Sequence, residues 1–163
     1  MKVAVVMGSK SDLPTLLPAF QTLKSFGVEI VARVLSAHRT PDAAALFASN
    51  AKGEGIEVMI AAAGKAAHLA GVLAGHTTLP VIGLPVKSSM MDGLDSLLST
   101  VQMPEGVPVA TVAVGGAKNA ALLAIQILAL KYTELQKELE DYKEEMKSSV
   151  LRADAELKWE EQL

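Results

Sequence analysis

Short apolar runs rich in Val, Ile and Ala recur along this chain, and each is followed by a small-residue turn and an amphipathic segment of helical length. This alternation predicts strands and helices that follow one another in strict order. Several of the runs contain no alternating polar residues, as expected for strands whose two faces are both covered by helices. Because crossovers between parallel strands are right-handed, the pattern predicts an α/β fold with three layers around a five-stranded parallel sheet.

The boundaries of these elements follow from turn and capping residues. Gly27 and Gly53 are placed to end the first two helices, and Thr40 with Pro41 is typical of an N-cap followed by the first helical residue. The predicted strands are residues 3–7, 29–35, 57–61, 80–84 and 107–112. The predicted helices are residues 12–26, 41–52, 66–75, 92–101 and 117–146.

The last predicted helix changes character near Lys131. Up to Leu130 it is almost wholly apolar, and beyond that residue one narrow apolar stripe continues among Glu and Lys: Leu135, Leu139, Tyr142 and Met146. We therefore divide the chain into an α/β domain, residues 1–132, and a charged amphipathic helical extension, residues 133–163. The stripe suits packing on its own domain and packing on a neighbouring subunit equally well, and fraying is expected after about Ser148.

Charge and cysteine content exclude several classes of protein. Residues 131–163 hold 10 of the 18 acidic and 6 of the 15 basic residues, so the rest of the chain is poorer in charge than the roughly 25% typical of soluble domains. That scarcity predicts a surface partly buried in a homo-oligomer. A net charge of −3 argues against a nucleic-acid partner. The chain has no cysteine and no apolar run long enough to span a membrane, and we expect a soluble, cytoplasmic protein.

Ligands of open parallel sheets bind at the carboxyl ends of the strands, and the loop after the first predicted strand carries hydroxyl groups there. Gly8 permits close approach of the backbone, and Ser9 and Ser11 at a helix N-terminus offer donors to an anion. An alternative is that Ser9, Ser11 or Asp12 only caps the helix. The spacings of a Walker loop and of a dinucleotide-binding fingerprint are absent.

The loop after the second predicted strand reads Ser36-Ala37-His38-Arg39. An imidazole titrates near neutral pH and a guanidinium binds phosphate or carboxylate, so His38 and Arg39 suit acid/base chemistry on an anionic substrate. The alternatives are a histidine that is hydrogen-bonded only to the backbone and an arginine in a surface ion pair.

The loop after the third predicted strand combines small residues with one histidine. Its candidate residues are Gly64, Lys65, Ala66, Ala67, His68 and Leu69. Small residues let a helix N-terminus approach a ligand, but they also favour close helix packing. His76 lacks neighbouring functional residues and is predicted to be a surface or capping residue, whereas Met90 and Met91 are predicted to lie in an interface. Neither His38 nor His68 has a carboxylate cluster nearby, so no metal site is predicted.

Four motifs, in residues 8–12, 36–41, 66–69 and 93–104, together resemble one family. The chain resembles the class I N5-carboxyaminoimidazole ribonucleotide mutases of purine biosynthesis, also called the phosphoribosylaminoimidazole carboxylase catalytic-subunit family. The resemblance covers roughly residues 1–132. It implies a flavodoxin-like (Rossmann-like) domain, a homo-octamer, a ribonucleotide substrate, and a reaction that needs no metal, ATP or organic cofactor.

The resemblance also implies roles for individual residues. His38 is the general acid/base in a reaction that moves a carboxylate from an exocyclic nitrogen to ring carbon 4 by decarboxylation and recarboxylation. Ser9 and Asp12 hold the ribose and phosphate region, and Ser36 and Arg39 bind phosphate or carboxylate. The other residues implied to contact the substrate are Gly8, Ala37, Gly64, Lys65, Ala66, Ala67, His68 and Leu69.

Two residues depart from the family pattern. Family members usually have Gly where this chain has Lys65 and Pro where it has Ala70. Lys65 either points outward or supplies a cation for the substrate. Direct carboxylation of aminoimidazole ribonucleotide by carbon dioxide, the class II reaction, is the alternative activity, although His68 favours the mutase. A nucleotide-binding module without chemistry is a further alternative, and it has no need of His38.

Overall fold

In a computed structural model, which describes residues 1–162, the chain forms one five-stranded, all-parallel sheet in the order β2-β1-β3-β4-β5. The strands are β1 (Lys2–Met7), β2 (Glu29–Val34), β3 (Val58–Gly64), β4 (Val81–Val86) and β5 (Ala110–Thr111). The helices are α1 (Leu13–Ser25), α2 (Pro41–Ala51), α3 (Leu69–Gly75), α4 (Leu94–Val101), α5 (Ala117–Ala129) and α6 (Thr133–Ala155). Short 3₁₀ helices occupy Lys10–Asp12 and Trp159–Gln162. This strand order is the flavodoxin-like one, which confirms the predicted fold class.

Two separate cores lie on the two faces of the sheet. Successive side chains of a strand point to opposite faces, so Val3 and Val5 of β1 join α1 and α5 in one core. Ala4 and Val6 join α2 and α3 in the other. All four side chains are fully buried. The absence of polar alternation in the predicted strands therefore reflects helices on both faces, and the predicted three layers are confirmed.

Several element boundaries differ from the predicted ones. β3 continues to Gly64 and α3 begins only at Leu69, because Lys65 adopts a left-handed backbone conformation with φ of 59° that ends the strand. β5 comprises Ala110–Thr111 instead of the predicted 107–112, since Pro108 has no N–H to give to a strand ladder.

The predicted continuous helix over 117–146 is wrong. α5 ends at Ala129 and α6 begins at Thr133, with Tyr132 extended between them (φ −112°, ψ 97°). The Tyr132 hydroxyl donates to the Glu57 carboxylate over 3.0 and 3.1 Å, and the Lys131 ammonium donates to it over 2.8 Å. The residues at the break are all compatible with a helix, so a contact distant in sequence overrides local propensity here.

The first half of α6 packs on its own domain. Leu135 is fully buried, and Leu139 and Tyr142 pack against the same core as α1 and α5. The Tyr142 ring meets Phe26 edge to face, with 6.1 Å between the ring centroids. The helix continues past Ser148, where fraying was expected, to Ala155. From Met146 onward its apolar side chains are largely exposed.

Glu57 links the helix break to the beginning of β3, and its ionisation predicts a pH-dependent contribution to stability. Burial raises the pKa of Glu57, but hydrogen bonds from Lys131 and Tyr132 outweigh burial and hold this pKa below its ordinary value. A carboxylate with a lowered pKa in the folded state stabilises the fold above its unfolded pKa, and that stabilisation disappears as the pH falls through the folded value. Glu57→Gln is therefore expected to lower the free energy of unfolding by about 1 kcal/mol at pH 7.

Urea denaturation at pH 7 and at pH 3 measures this effect. The loss should shrink at pH 3, where wild-type Glu57 is increasingly protonated. Glu29→Gln is the matched control, because Glu29 forms a more exposed pair with Lys2 over 3.1 Å and is expected to change stability by less than about 0.5 kcal/mol. An equal loss for Glu57→Gln at both pH values would contradict the assigned role of its charge.

Candidate active site

A cavity of about 550 Å³ opens at the carboxyl ends of β1 to β4. It lies where the strand order reverses between β1 and β3, which is the usual ligand position in sheets of this type. The predicted site residues that the structure brings together in its wall are Gly8, Ser9, Asp12, Ser36, Ala37, His38, Arg39, Gly64, Lys65, Ala66 and Leu69. Ala67 is buried beneath the wall, and His68 meets the site through His38.

Ser9 and Asp12 cap each other at the first wall of the cavity. The Ser9 N–H donates to the Asp12 carboxylate over 3.1 Å, and the Ser9 hydroxyl accepts from the Ser11 N–H over 3.3 Å. Burial raises the pKa of Asp12 above its ordinary value, and the Ser9 N–H and the charge of Arg39 offset only part of this rise. Ser9 and Asp12 therefore form a capping box around the short helix Lys10–Asp12, and the same two residues also border the cavity.

Arg39 ties the second loop to the first. Its Nη2 donates to the Gly8 carbonyl over 2.8 Å, and its Nε donates to the Ser36 hydroxyl over 3.3 Å. The Ser36 hydroxyl also accepts from the Arg39 backbone N–H over 3.2 Å. These bonds hold the guanidinium plane in place, and its further N–H donors remain available to an anion.

His38 and His68 contact each other directly. Nε2 of His38 lies 2.9 Å from Nδ1 of His68, and the rings meet edge to face at 78° with centroids 5.0 Å apart. The His38 ring is thus bonded to a second imidazole and not only to the backbone. Such a contact needs one nitrogen that donates and one that accepts, so one proton lies between these two nitrogens.

Lys65 lies on the cavity wall directly after Gly64, the last residue of β3. Its φ of 59° is in the left-handed region, where glycine has no steric penalty. This conformation gives a physical reason for the family's usual Gly at the position. The Ser99 hydroxyl donates to the Asp95 carbonyl of its own helix over 2.6 Å and lies 3.4 Å from the Lys65 carbonyl, so α4 lies close to this loop.

A fourth loop, which sequence reasoning missed, completes the wall after β4. The cavity residues not named from the sequence as substrate-binding are Ser11, Ala63, Val86, Lys87, Ser88 and Ser89. The Ser88 hydroxyl donates to the Asp95 carboxylate over 2.7 and 2.9 Å, and the Lys87 ammonium lies 2.6 Å from an Asp92 oxygen. The sequence did contain a signal for this loop. It follows a predicted strand of a parallel sheet, and the carboxyl ends of parallel strands lie at the same edge.

Other predicted features lie outside the cavity. His76 is exposed at the end of α3. Met90 and Met91 are exposed, at 80% and 53% of their surface. Within residues 1–162, no group of three or more His, Cys, Asp or Glu side chains is placed to hold a metal ion. None of the helices in that part of the chain is both long and apolar enough to cross a membrane.

Comparison with known proteins relates this site to a family. The sequence profile of the family described as AIR carboxylase matches residues 2–149. The N5-carboxyaminoimidazole ribonucleotide mutase of Saccharolobus solfataricus is 58% identical over 150 residues, which are 92% of this chain and 95% of that protein. The mutase of the same name from Thermotoga maritima is 55% identical over 92% of this chain and 88% of its own length.

A solved structure supports the same relationship. The crystal structure of Treponema denticola PurE superposes with a TM-score of 0.85 at 31% sequence identity, and the match covers 96% of this chain and 98% of that one. The residues that match the family, 2–149, include all four loops of the cavity. This chain therefore belongs to the AIR carboxylase family.

Proposed function

We propose that this protein is an isomerase of purine biosynthesis that converts N5-carboxyaminoimidazole ribonucleotide into 4-carboxy-5-aminoimidazole ribonucleotide. Relatives that bear the name of this mutase match it over most of their length. The observation that carries the proposal is the hydrogen-bonded pair of His38 and His68 beside a cavity that also holds Arg39. That arrangement combines a proton carrier with a binding group for an anionic substrate.

The first two loops are suited to the phosphorylated end of the substrate. Ser9, Ser11 and Ser36 offer hydroxyl groups, and the guanidinium of Arg39 is held between the loops by Gly8 and Ser36. Charge-assisted bonds from such donors are the usual means of holding phosphate. We assign Asp12, a hydrogen-bond acceptor at the same wall, to the ribose hydroxyls.

His38 carries the chemistry in this proposal. As an imidazolium it protonates the carbamate nitrogen, the N–C bond breaks, and carbon dioxide and aminoimidazole ribonucleotide form. Carbon 4 of the ring then attacks the retained carbon dioxide and forms the new C–C bond. Neutral His38 removes the proton from carbon 4, which restores both the aromatic ring and the imidazolium. One proton leaves and one returns, so no external acid or base is consumed.

His68 is assigned to positioning His38. Because Nε2 of His38 is engaged at the 2.9 Å contact, Nδ1 is the nitrogen that exchanges a proton with the substrate, and the Nε2–H group donates to His68 before and after the transfer. The edge-to-face packing keeps the His38 ring in one orientation through both proton transfers. Because the His38 ring does not have to be re-oriented between the two proton transfers, this preorganisation lowers the activation barrier.

Direct carboxylation of aminoimidazole ribonucleotide is not favoured, and an isotope experiment separates the two reactions. We expect purified protein to convert substrate labelled with ¹³C in its carbamate to product that keeps the label, at the same initial rate with and without unlabelled bicarbonate. A reaction without protein corrects for spontaneous decarboxylation. Turnover of aminoimidazole ribonucleotide with bicarbonate, together with no turnover of the carbamate, would show the carboxylase instead.

Assembly and location are also part of the proposal. We propose a homo-octamer, supported by apolar side chains of α4 that are about half exposed: Leu94, Leu98 and Val101. A stable monomer in sedimentation at micromolar concentration would contradict this assembly.

We treat residues 1–132 as the catalytic domain and residues 133–163 as an extension. A cytoplasmic location is proposed because a ribonucleotide with several negative charges does not diffuse across a membrane from where it is made.

A further inference from the structure

Two lysines border the cavity, each directly after one of two neighbouring strands. Gly64 of β3 and Val86 of β4 are partners in the sheet register. Lys65 follows Gly64, and Lys87 follows Val86. Both line the cavity. The proton transfers and the phosphate contacts described above use neither of them.

This placement of two lysines is energetically unfavourable. Like charges at adjacent positions of neighbouring strands repel each other, and Lys65 also holds an unfavourable left-handed backbone conformation. Within residues 1–162, Lys65 forms no ion pair. Strained backbone conformations cluster at ligand-binding sites, where the surrounding structure maintains them.

Lys87 has a weak and exchangeable partner. Its ammonium lies 2.6 Å from Asp92, but the two side chains are 72% and 77% exposed. Ion pairs at this exposure contribute little to stability. An anionic ligand in the cavity can therefore replace Asp92 as the partner of Lys87 at low cost.

The strand order separates these lysines from Arg39. Arg39 follows β2, and β1 and then β3 lie between it and β4. The guanidinium of Arg39 nevertheless reaches the Gly8 carbonyl directly after β1. Because neighbouring strands are about 4.8 Å apart, this guanidinium lies roughly 5 to 10 Å from the ends of β3 and β4 that precede the two lysines. That separation, together with the reach of two lysine side chains, suits a ribonucleotide, whose substrate form here carries one anionic group at the phosphate and another on the base.

We propose that Lys65 and Lys87 form a second anion subsite, which binds an anionic oxygen group of the ribonucleotide across the cavity from Arg39. This inference rests on the proposed function, because it identifies the ligand of the subsite as that substrate. The chemistry required is a carboxylate or phosphate group, and the two are distinguished by the ligands used in the test.

Steady-state kinetics of charge-removing variants test the subsite. Lys65→Gln and Lys87→Gln are each expected to raise KM for the carbamate substrate roughly five- to tenfold with little change in kcat, because a contact made equally in substrate and transition state affects binding alone. The double variant should lose more and show a weaker dependence of KM on salt. Asp92→Asn should lower KM, because it removes the competitor for Lys87. Lys52→Gln is the matched control, since Lys52 is exposed just after α2, at the opposite end of the sheet.

Titration calorimetry identifies the group that is bound. Aminoimidazole ribonucleotide carries only the phosphate, whereas 4-carboxy-5-aminoimidazole ribonucleotide carries both anionic groups. If the double variant loses affinity for the second ligand alone, the lysines bind the carboxylate. If it loses affinity for both ligands equally, they bind the phosphate. Either result supports the subsite.

A stability measurement separates binding from folding. Lys65→Gly is expected to raise the thermal midpoint of unfolding, because glycine relieves the left-handed strain, and to raise KM like Lys65→Gln. Double-variant affinities within twofold of the Lys52→Gln control for both ligands would overturn the subsite. Failure of the wild-type protein to turn over the carbamate would instead contradict the proposed function, and the calorimetry would still show whether the lysines bind these anions.

Discussion

His38→Asn is expected to reduce kcat for interconversion of the two carboxylated ribonucleotides by roughly 10²- to 10⁴-fold, the range typical for loss of a general acid/base. Asparagine keeps a similar size and one hydrogen-bonding group, but it does not exchange protons near neutral pH. The substrate contacts from Arg39 and Ser36 remain, so KM should change much less than kcat. Initial rates measured in both directions of the reaction give this comparison.

Two further histidine variants make the test specific. His76→Asn is the matched control, since His76 is exposed at the end of α3 and lies outside the cavity, and it should keep wild-type kcat. His68→Asn should lower kcat less than His38→Asn and should change the pH profile of kcat, because the partner that shares the His38 proton is altered. A His38→Asn protein that is folded and interconverts the substrates at the wild-type rate would refute the assigned mechanism.

Leu135→Ala is expected to destabilise the protein by about 2 to 5 kcal/mol, the range found when a buried leucine is truncated in a core. Leu135 is fully buried and packs in the core that α1 and α5 share. Truncation leaves a cavity beneath the first turn of α6, where Tyr132 and Glu57 already hold the backbone. Urea denaturation followed by far-ultraviolet circular dichroism measures the loss.

Leu151→Ala is the matched control in the same helix. Leu151 is 59% exposed, so the same truncation there is expected to change stability by less than about 0.5 kcal/mol. Equal losses at both positions would show that the second half of α6 is buried in solution, as packing on a neighbouring subunit requires. Negligible losses at both would contradict the packing of α6 on its own domain.

Local patterns were sufficient for most of the sheet. The apolar run at residues 3–7 corresponds to β1, Lys2–Met7, because a strand covered on both faces needs apolar side chains at every position. The alternation of strands and helices was enough to predict a parallel sheet, since the handedness of crossovers leaves few arrangements open. The same rule brought the loops at residues 8–12, 36–39 and 64–69 to one edge, where the cavity lies.

Long-range contacts were beyond reach of such patterns. His38 and His68 are 30 residues apart, and their direct contact depends on the register of β1 with β2 and β3. A parallel sheet brings the loop that holds Lys87 to the same edge as the other three, but only the pairing of β4 with β3 places Lys87 in the cavity wall. The relation of Lys65 to Lys87 likewise depends on the pairing of Gly64 with Val86.

The helix break shows why the two levels differ. Periodicity and composition specify which face of a segment is apolar, so they were enough for the alternating order, the apolar strands and the stripe that begins at Leu135. Periodicity and composition do not show which distant side chain lies close enough to form bonds that replace a further turn of helix. Glu57, far away in sequence, bonds Lys131 and Tyr132 directly after the end of α5 at Ala129, and Leu135 is buried in the core beyond the break. The free energy of such tertiary contacts exceeds the small differences in helix propensity among these residues.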